Sequence, residues 1–194
     1  GIVKAKVNGT NGVIVEINCE TDFCAKSDKF LELVETITDT ILANDAADVE
    51  ALKNCTIAGG AQTVSEYMTE KIATIGENMN IRRFEKVTCD NGIVVDYIHA
   101  GGKIGVLIAA ETDNTGAEVV ECLKNVAMQI AAMNPQYLSS DDVSDEYKER
   151  EKAVLLAQAK NDPKNANKPD NIIEKMIIGR LNKELKEVCL TEQV

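Results

Sequence analysis

Residues 2–8 alternate, with Ile2, Lys4, Lys6 and Asn8 facing one way and Val3, Ala5 and Val7 the other. That two-residue period predicts a strand with one buried face. Asn8-Gly9-Thr10-Asn11-Gly12 supplies residues that tolerate positive φ, and 13–17 returns as a second strand, so the chain opens with a β-hairpin. At Thr21 the period lengthens. Phe30, Val34, Ile37 and Ile41 recur at helical spacing, widened by Leu31, Leu33 and Leu42. Thr21 or Asp22 is one candidate N-cap and Ser27-Asp28 offers another. A loop at 44–48, a helical turn over Val49–Lys53 and a break at Gly59-Gly60 precede an amphipathic helix over 64–78.

Strands follow over 81–89 and Gly92–His99, around the turn Asp90-Asn91-Gly92, and Gly101-Gly102 turns the chain into a third strand over 104–110. Val119, Leu123, Val126, Ala127 and Ile130 form the next helical stripe, stopped near Asn134-Pro135. Gly12-Val13-Ile14-Val15 followed by Glu20-Thr21-Asp22 is echoed by Gly105-Val106-Leu107-Ile108 followed by Glu111-Thr112-Asp113. Each copy is a hairpin strand leading into a helix, the pattern of two related α+β units. From Ser139 the character turns purely helical. Ser139-Ser140-Asp141-Asp142 is a capping signal for a charged helix over 143–160, and a polar loop over 161–169 leads to a stripe of Ile173, Ile177, Leu181, Leu185 and Val188. Two such helices around a short loop predict an antiparallel helical hairpin, a contact arm or a packed appendage.

Composition narrows the function. The 194 residues suit one large domain or two small ones sharing a core, and 44% apolar with 27% charged residues is globular. A net charge of −11 repels phosphate, and the only basic pair, Arg82-Arg83, makes no stripe, so neither nucleic acid nor an anionic membrane surface is an expected partner. No apolar run reaches the roughly 20 residues that span a bilayer. No signal peptide is visible, and the start at Gly1 without Met suggests that a leader or leading domain was removed.

Candidate chemistry is sparse. Cys19, Cys24, Cys55, Cys89, Cys122 and Cys189 are dispersed with no C-x-x-C, as in a reducing compartment, and with one His they do not assemble a four-ligand zinc site. No metal or cofactor is expected. His99 as a general base would need an orienting carboxylate and a nucleophile such as Cys89 or Cys24 brought to it by the fold. Gly101-Gly102-Lys103-Ile104-Gly105 lacks the Ser or Thr of a phosphate loop and leads into a strand. Glu16, Glu20 and Asp22 read as solvated strand-end charges. Phe23 is unusual, because aromatics make up only 4% of the chain and this one opens a helix between Asp22 and Cys24. It is either an inward staple beneath the helix start or an exposed wedge for a partner's pocket; the residues alone leave both open.

Five segments, in order across nearly the whole chain, resemble the elongation factor Ts family, the guanine-nucleotide exchange factors of elongation factor Tu. Residues 15–26, VEINCETDFCAK, are similar to the family's VNCETDFVA motif, and 71–84, KIATIGENMNIRRF, to its KIGENIxIRR segment. YIHAGGKIGVL at 97–107, AMQIAAMNPQYL at 127–138, and the stretches 172–180 and 188–193 complete the resemblance. It implies an α+β fold of two related lobes of antiparallel sheet with packed helices, plus a protruding helical hairpin. The implied division is 1–92 for the first lobe, 93–140 for a second and incomplete lobe, and 141–194 for the coiled-coil arm and return segment.

In the family the TDF helix start docks on the GTPase, where its aromatic ring wedges beside the nucleotide and disturbs Mg²⁺ and the phosphate loop. Carried over, that role falls on Thr21, Asp22, Phe23 and Cys24, with Ile75, Gly76 and His99 as further contacts. Cys24 stands where Val is usual, and Gln129 where many relatives have His. The family's N-terminal helical domain and C-terminal end are not matched, so a core fragment is expected. The implied activity is nucleotide exchange without bond chemistry, in a bacterial cytoplasm or an organelle matrix. Whether the arm meets elongation factor Tu, a second copy or both stays open. Two other classes remain: a non-exchanging interaction module of the same fold, and a thiol hydrolase built on His99 and a Cys.

Overall fold

The computed structural model describes residues 1–165 and 168–193, which form two compact units, Gly1–Ala132 and Met133–Val194. In the first, β1 (Ile2–Asn8), β2 (Asn11–Asn18) and β3 (Asn80–Thr88) make an antiparallel sheet in the order β1-β2-β3. β4 (Gly92–His99) and β5 (Ile104–Glu111) form a separate antiparallel pair. The helices are α1 (Asp22–Ala25), α2 (Asp28–Ala43), α3 (Val49–Lys53), α4 (Val64–Ile75) and α5 (Ala117–Met133). The fold is α+β with two small antiparallel sheets, as the periodicities imply.

The core forms where β2 meets α2. Val13, Val15 and Ile17 alternate onto one face of the strand and meet Phe30, Leu33, Val34, Ile37 and Ile41 at helical spacing, all essentially fully buried. Burying each such side chain stabilises the fold by about 1.5–3 kcal/mol. Leu52, Val64 and Tyr67 from α3 and α4 seal the far side. Thr38 and Thr40 are buried without penalty, because their hydroxyls donate to the Val34 and Thr36 carbonyls at 2.7 Å.

The expectation of a single buried face on β1 fails, for a reason the strand alone does not carry. Lys4 and Lys6 pair across from Val15 and Val13, so they share the face that α2 covers. They lie at its edge, where Lys4 meets Glu35 at 3.0 Å and Lys6 meets Glu35 at 2.7 Å and also Asp39. The opposite face is covered as well, by the β4–β5 hairpin. A Cβ on Gly12 would lie 2.6 Å from Val94 Cγ1, and one on Gly105 would lie 2.5 Å from Val3 Cγ1. Glycine at these two positions lets the hairpin close onto the sheet.

Other boundaries shift by local rules. The helix expected over 64–78 ends at Ile75, because Gly76 takes the left-handed conformation (φ +81°) that terminates helices. Both capping candidates at the second helix are used: the Thr21 hydroxyl accepts from Cys24 N–H and caps α1, and Ser27 caps α2.

The second unit contains α6 (Asp145–Asn161) and α7 (Asp170–Val188), which pack as a helical hairpin. Ser139-Asp142 does form a capping box, but it closes a 3-10 turn, and Ser144 caps α6 two residues later than the expected start. Ile173, Ile177, Leu181 and Leu185 are the buried stripe of α7. Val143 and Cys189 join Leu181 and Leu185 in one cluster, and Ala159 joins Ile173 and Ile177 in another. Residues 166 and 167 of the expected polar loop lie outside the described residues. Among the described residues no helix is long and apolar enough to cross a membrane.

Candidate functional site

β1 begins, β2 ends and β3 begins at the same end of the sheet, since Ile2 pairs with Ile17 and Asn80 with Asn18. The β4–β5 turn reaches this end too, where Val3 N–H donates to the Gly102 carbonyl at 2.7 Å. α1 therefore sits among three segments distant in sequence: the residues following α4, the start of β3, and the turn after His99.

Phe23 stands out from this end. It is 90% exposed, while its neighbours Cys24 and Ala25 are buried. The ring is turned outward, so the inward-staple reading is set aside. A helix of four residues has no stability of its own, so its position depends on the ties around it. The Glu77 carboxylate accepts the Glu20 and Thr21 backbone N–H groups at 3.0 Å each, and the Thr21 hydroxyl donates to its other oxygen. Those bonds, that of Thr21 foremost, hold the Glu77 carboxyl below the usual carboxylate range. Asp22 pairs with Lys103 at 3.2 Å, and that contact depresses its pKa. Below the ring, Cys24 and Ala25 enter the core and prevent α1 from rolling.

The structure thus brings together Thr21, Asp22, Phe23 and Cys24 with the Ile75-Gly76 corner, through Glu77, and with the His99 turn, through Lys103. Lys103 N–H donates to the His99 carbonyl at 3.2 Å. His99 is exposed, and its Nδ1 meets the Tyr97 hydroxyl at 2.9 Å. That partner is a phenol, not the carboxylate or thiol the hydrolase reading requires. Cys24 is no better suited to it, because burial, with Cys19 and Glu77 beside it, pushes its thiol up to about 12. Phe23 is thus an exposed aromatic ring on a short helix tied to this end of the sheet by Glu77 and Lys103.

Sequence reasoning missed Glu77, Lys103 and Cys19 as parts of this site. Glu77 carried one usable signal, a carboxylate directly after a helix-ending glycine, where it can turn back toward backbone donors. Lys103 stands in a rejected phosphate loop and in the 97–107 segment of the resemblance, neither of which assigns it a partner. Cys19 and Glu77 are 58 residues apart, so no spacing pairs them, yet the fold places Cys19, Cys24 and Glu77 side by side.

The family model described as elongation factor TS matches residues 20–194, which include Thr21–Cys24, Ile75–Glu77, His99 and Lys103 but not Cys19. The chain belongs to the elongation factor Ts family. It is 47% identical over 185 residues to elongation factor Ts of Magnetococcus marinus, covering 95% of this chain and 60% of that protein. It is 48% identical to elongation factor Ts of Trichlorobacter lovleyi over 201 residues and to that of Clostridioides difficile over 195, in each case across 100% of this chain and 63% and 62% of the relative. The chain therefore spans about three-fifths of the length of these elongation factor Ts relatives.

Proposed function

We propose that this chain is the exchange-promoting core of an elongation factor Ts, acting on elongation factor Tu bound to GDP during translation elongation. Phe23 is the wedge, entering the GTPase beside its Mg²⁺ and phosphate-binding region, with Thr21, Asp22 and Cys24 completing the docking motif. Ile75, Gly76 and His99 are further contacts around it. The observation that carries the reading is Phe23 itself: a ring exposed to 90% on a helix fixed by Glu77 and Lys103.

The mechanism is linkage. A factor that binds the nucleotide-free GTPase more tightly than the GDP form weakens GDP by the same factor, about 1.4 kcal/mol for each tenfold. No bond is made or broken, so the site needs no acid–base pair and no cofactor. A stiff platform serves this purpose, because energy spent bending the wedge is lost from the coupling.

Release of fluorescent GDP from elongation factor Tu tests the proposal. Acceleration by this chain that Phe23→Ala abolishes, with binding retained, supports it. Equal acceleration by Phe23→Ala removes the wedge assignment, and binding without acceleration by the parent chain favours the non-exchanging module.

A further inference from the structure

Beneath Phe23, Cys19 Sγ, Cys24 Sγ and a Glu77 carboxylate oxygen lie within 4.8 Å of one another. Cys24 is buried and the other two are half-buried. Tetrahedral zinc, with sulfur at about 2.3 Å and oxygen at about 2.0–2.2 Å, sets its ligand atoms roughly 3.5–3.8 Å apart, so the three groups need only small movements to share one ion. A cavity of about 210 Å³ lined by Asn18, Cys19, Glu20, Asn78, Met79 and Asn80 opens on the Cys19 side of the group.

From this geometry we propose that Cys19, Cys24 and Glu77 form a zinc site, with water as the fourth ligand. Two thiols select a soft or borderline cation over Ca²⁺ or Mg²⁺, which take oxygen ligands. As Zn²⁺ binds, both thiols give up their protons to solvent and two zinc–sulfur bonds form. The Glu77 oxygen that accepts from the Thr21 hydroxyl turns to the ion, while the other keeps the Glu20 and Thr21 backbone bonds. The ion thereby ties residues 19, 24 and 77 into one cross-link around the segment that carries Phe23.

The inference rests on geometry alone and is independent of the exchange reading. Its test is a Co²⁺ titration of chelator-treated protein under a reductant. One equivalent is expected to produce thiolate-to-cobalt charge-transfer absorption with the intense ligand-field bands of a tetrahedral site, and one equivalent of Zn²⁺ to abolish both. Cys24→Val, which removes the thiol and adds no polar group, and Cys19→Ser are each expected to lower the charge-transfer intensity and weaken Zn²⁺ binding at least about 10-fold. Circular dichroism must show both variants folded as the parent. Absence of the charge-transfer band in the parent, or its full survival in Cys24→Val, overturns the proposal. Since nothing in this readout involves GDP, the zinc site and the exchange function can each fail alone.

Discussion

Glu77 grips Thr21 across 56 residues of sequence, accepting its backbone N–H at 3.0 Å through one oxygen and its hydroxyl through the other. With the Glu20 N–H on the same carboxylate, this side chain replaces the hydrogen bonds that a longer helix would supply to the approach to α1. The exposed ring of Phe23 owes its fixed direction to a residue that itself need never touch a partner.

The brace has a pH dependence with a definite sign. Glu77 has a lowered pKa in the folded chain, so its stabilising contribution is present above the ordinary carboxylate pKa of about 4.3 and is lost as the pH falls through the lower folded value. The Thr21 amide shift, followed by NMR, is expected to titrate with a midpoint below about 4.3. Glu77→Gln is expected to remove that titration. A midpoint above the ordinary value in the parent would contradict the geometry.

Close packing of the β4–β5 hairpin predicts a cost at Gly105. A Cβ there would sit 2.5 Å from Val3 Cγ1 and 3.0 Å from Ile14 Cδ1, and Val3, branched at Cβ, has little room to turn aside. Gly105→Ala is expected to destabilise the fold by about 1–3 kcal/mol through overpacking, read as a lower denaturant midpoint. Gly9→Ala probes a different effect: open space surrounds its Cβ position, but φ is +62°, so any loss there reflects backbone strain alone.

Much of this fold was legible in local pattern. The two-residue period of β2, the stripe of α2 and that of α7 each point to side chains that are buried, because one face of each element meets the core. What stayed hidden depends on partners far along the chain. Lys4 and Lys6 look like a solvated face until Glu35 and Asp39 are placed beside them. At the site, the motif 21–24 could be read from the sequence, but the direction of Phe23 could not, since a single aromatic has no period. Glu77 and Lys103 act on α1 across 56 and 81 residues, and no spacing rule reaches that far.

The Asp22–Lys103 pair separates positioning from stability. Both side chains are exposed, and the ion pair is 3.2 Å long; solvent and salt screen such a pair, so it contributes little to stability. Lys103→Met is therefore expected to leave the unfolding midpoint nearly unchanged. If the pair orients α1 in the proposed complex, the same change slows nucleotide exchange while the fold is intact. A large stability loss would instead place Lys103 among the structural supports.

Alkaline solution should weaken the helical hairpin through Tyr147. The Tyr147 hydroxyl donates to Glu184 Oε1 at 2.9 Å, joining α6 to α7, and its ring meets Tyr137 edge-on at 5.8 Å. That carboxylate, with some burial, pushes the phenol up to about 12. A raised folded pKa means the contribution is fully present below the unfolded value of about 10 and is lost as the pH climbs through the folded one. The full linkage would be about 2.7 kcal/mol, but the pair is only half-buried, and solvent screening reduces it to roughly 1 kcal/mol. Thermal melts between about pH 9 and about pH 12 are expected to show the second unit losing stability in the parent chain. Tyr147→Phe removes both the hydroxyl bond and the titration, so it should start about 0.5–1.5 kcal/mol less stable at neutral pH and lose less over the alkaline range. Parallel alkaline losses in the parent and in Tyr147→Phe would show that another group controls the transition.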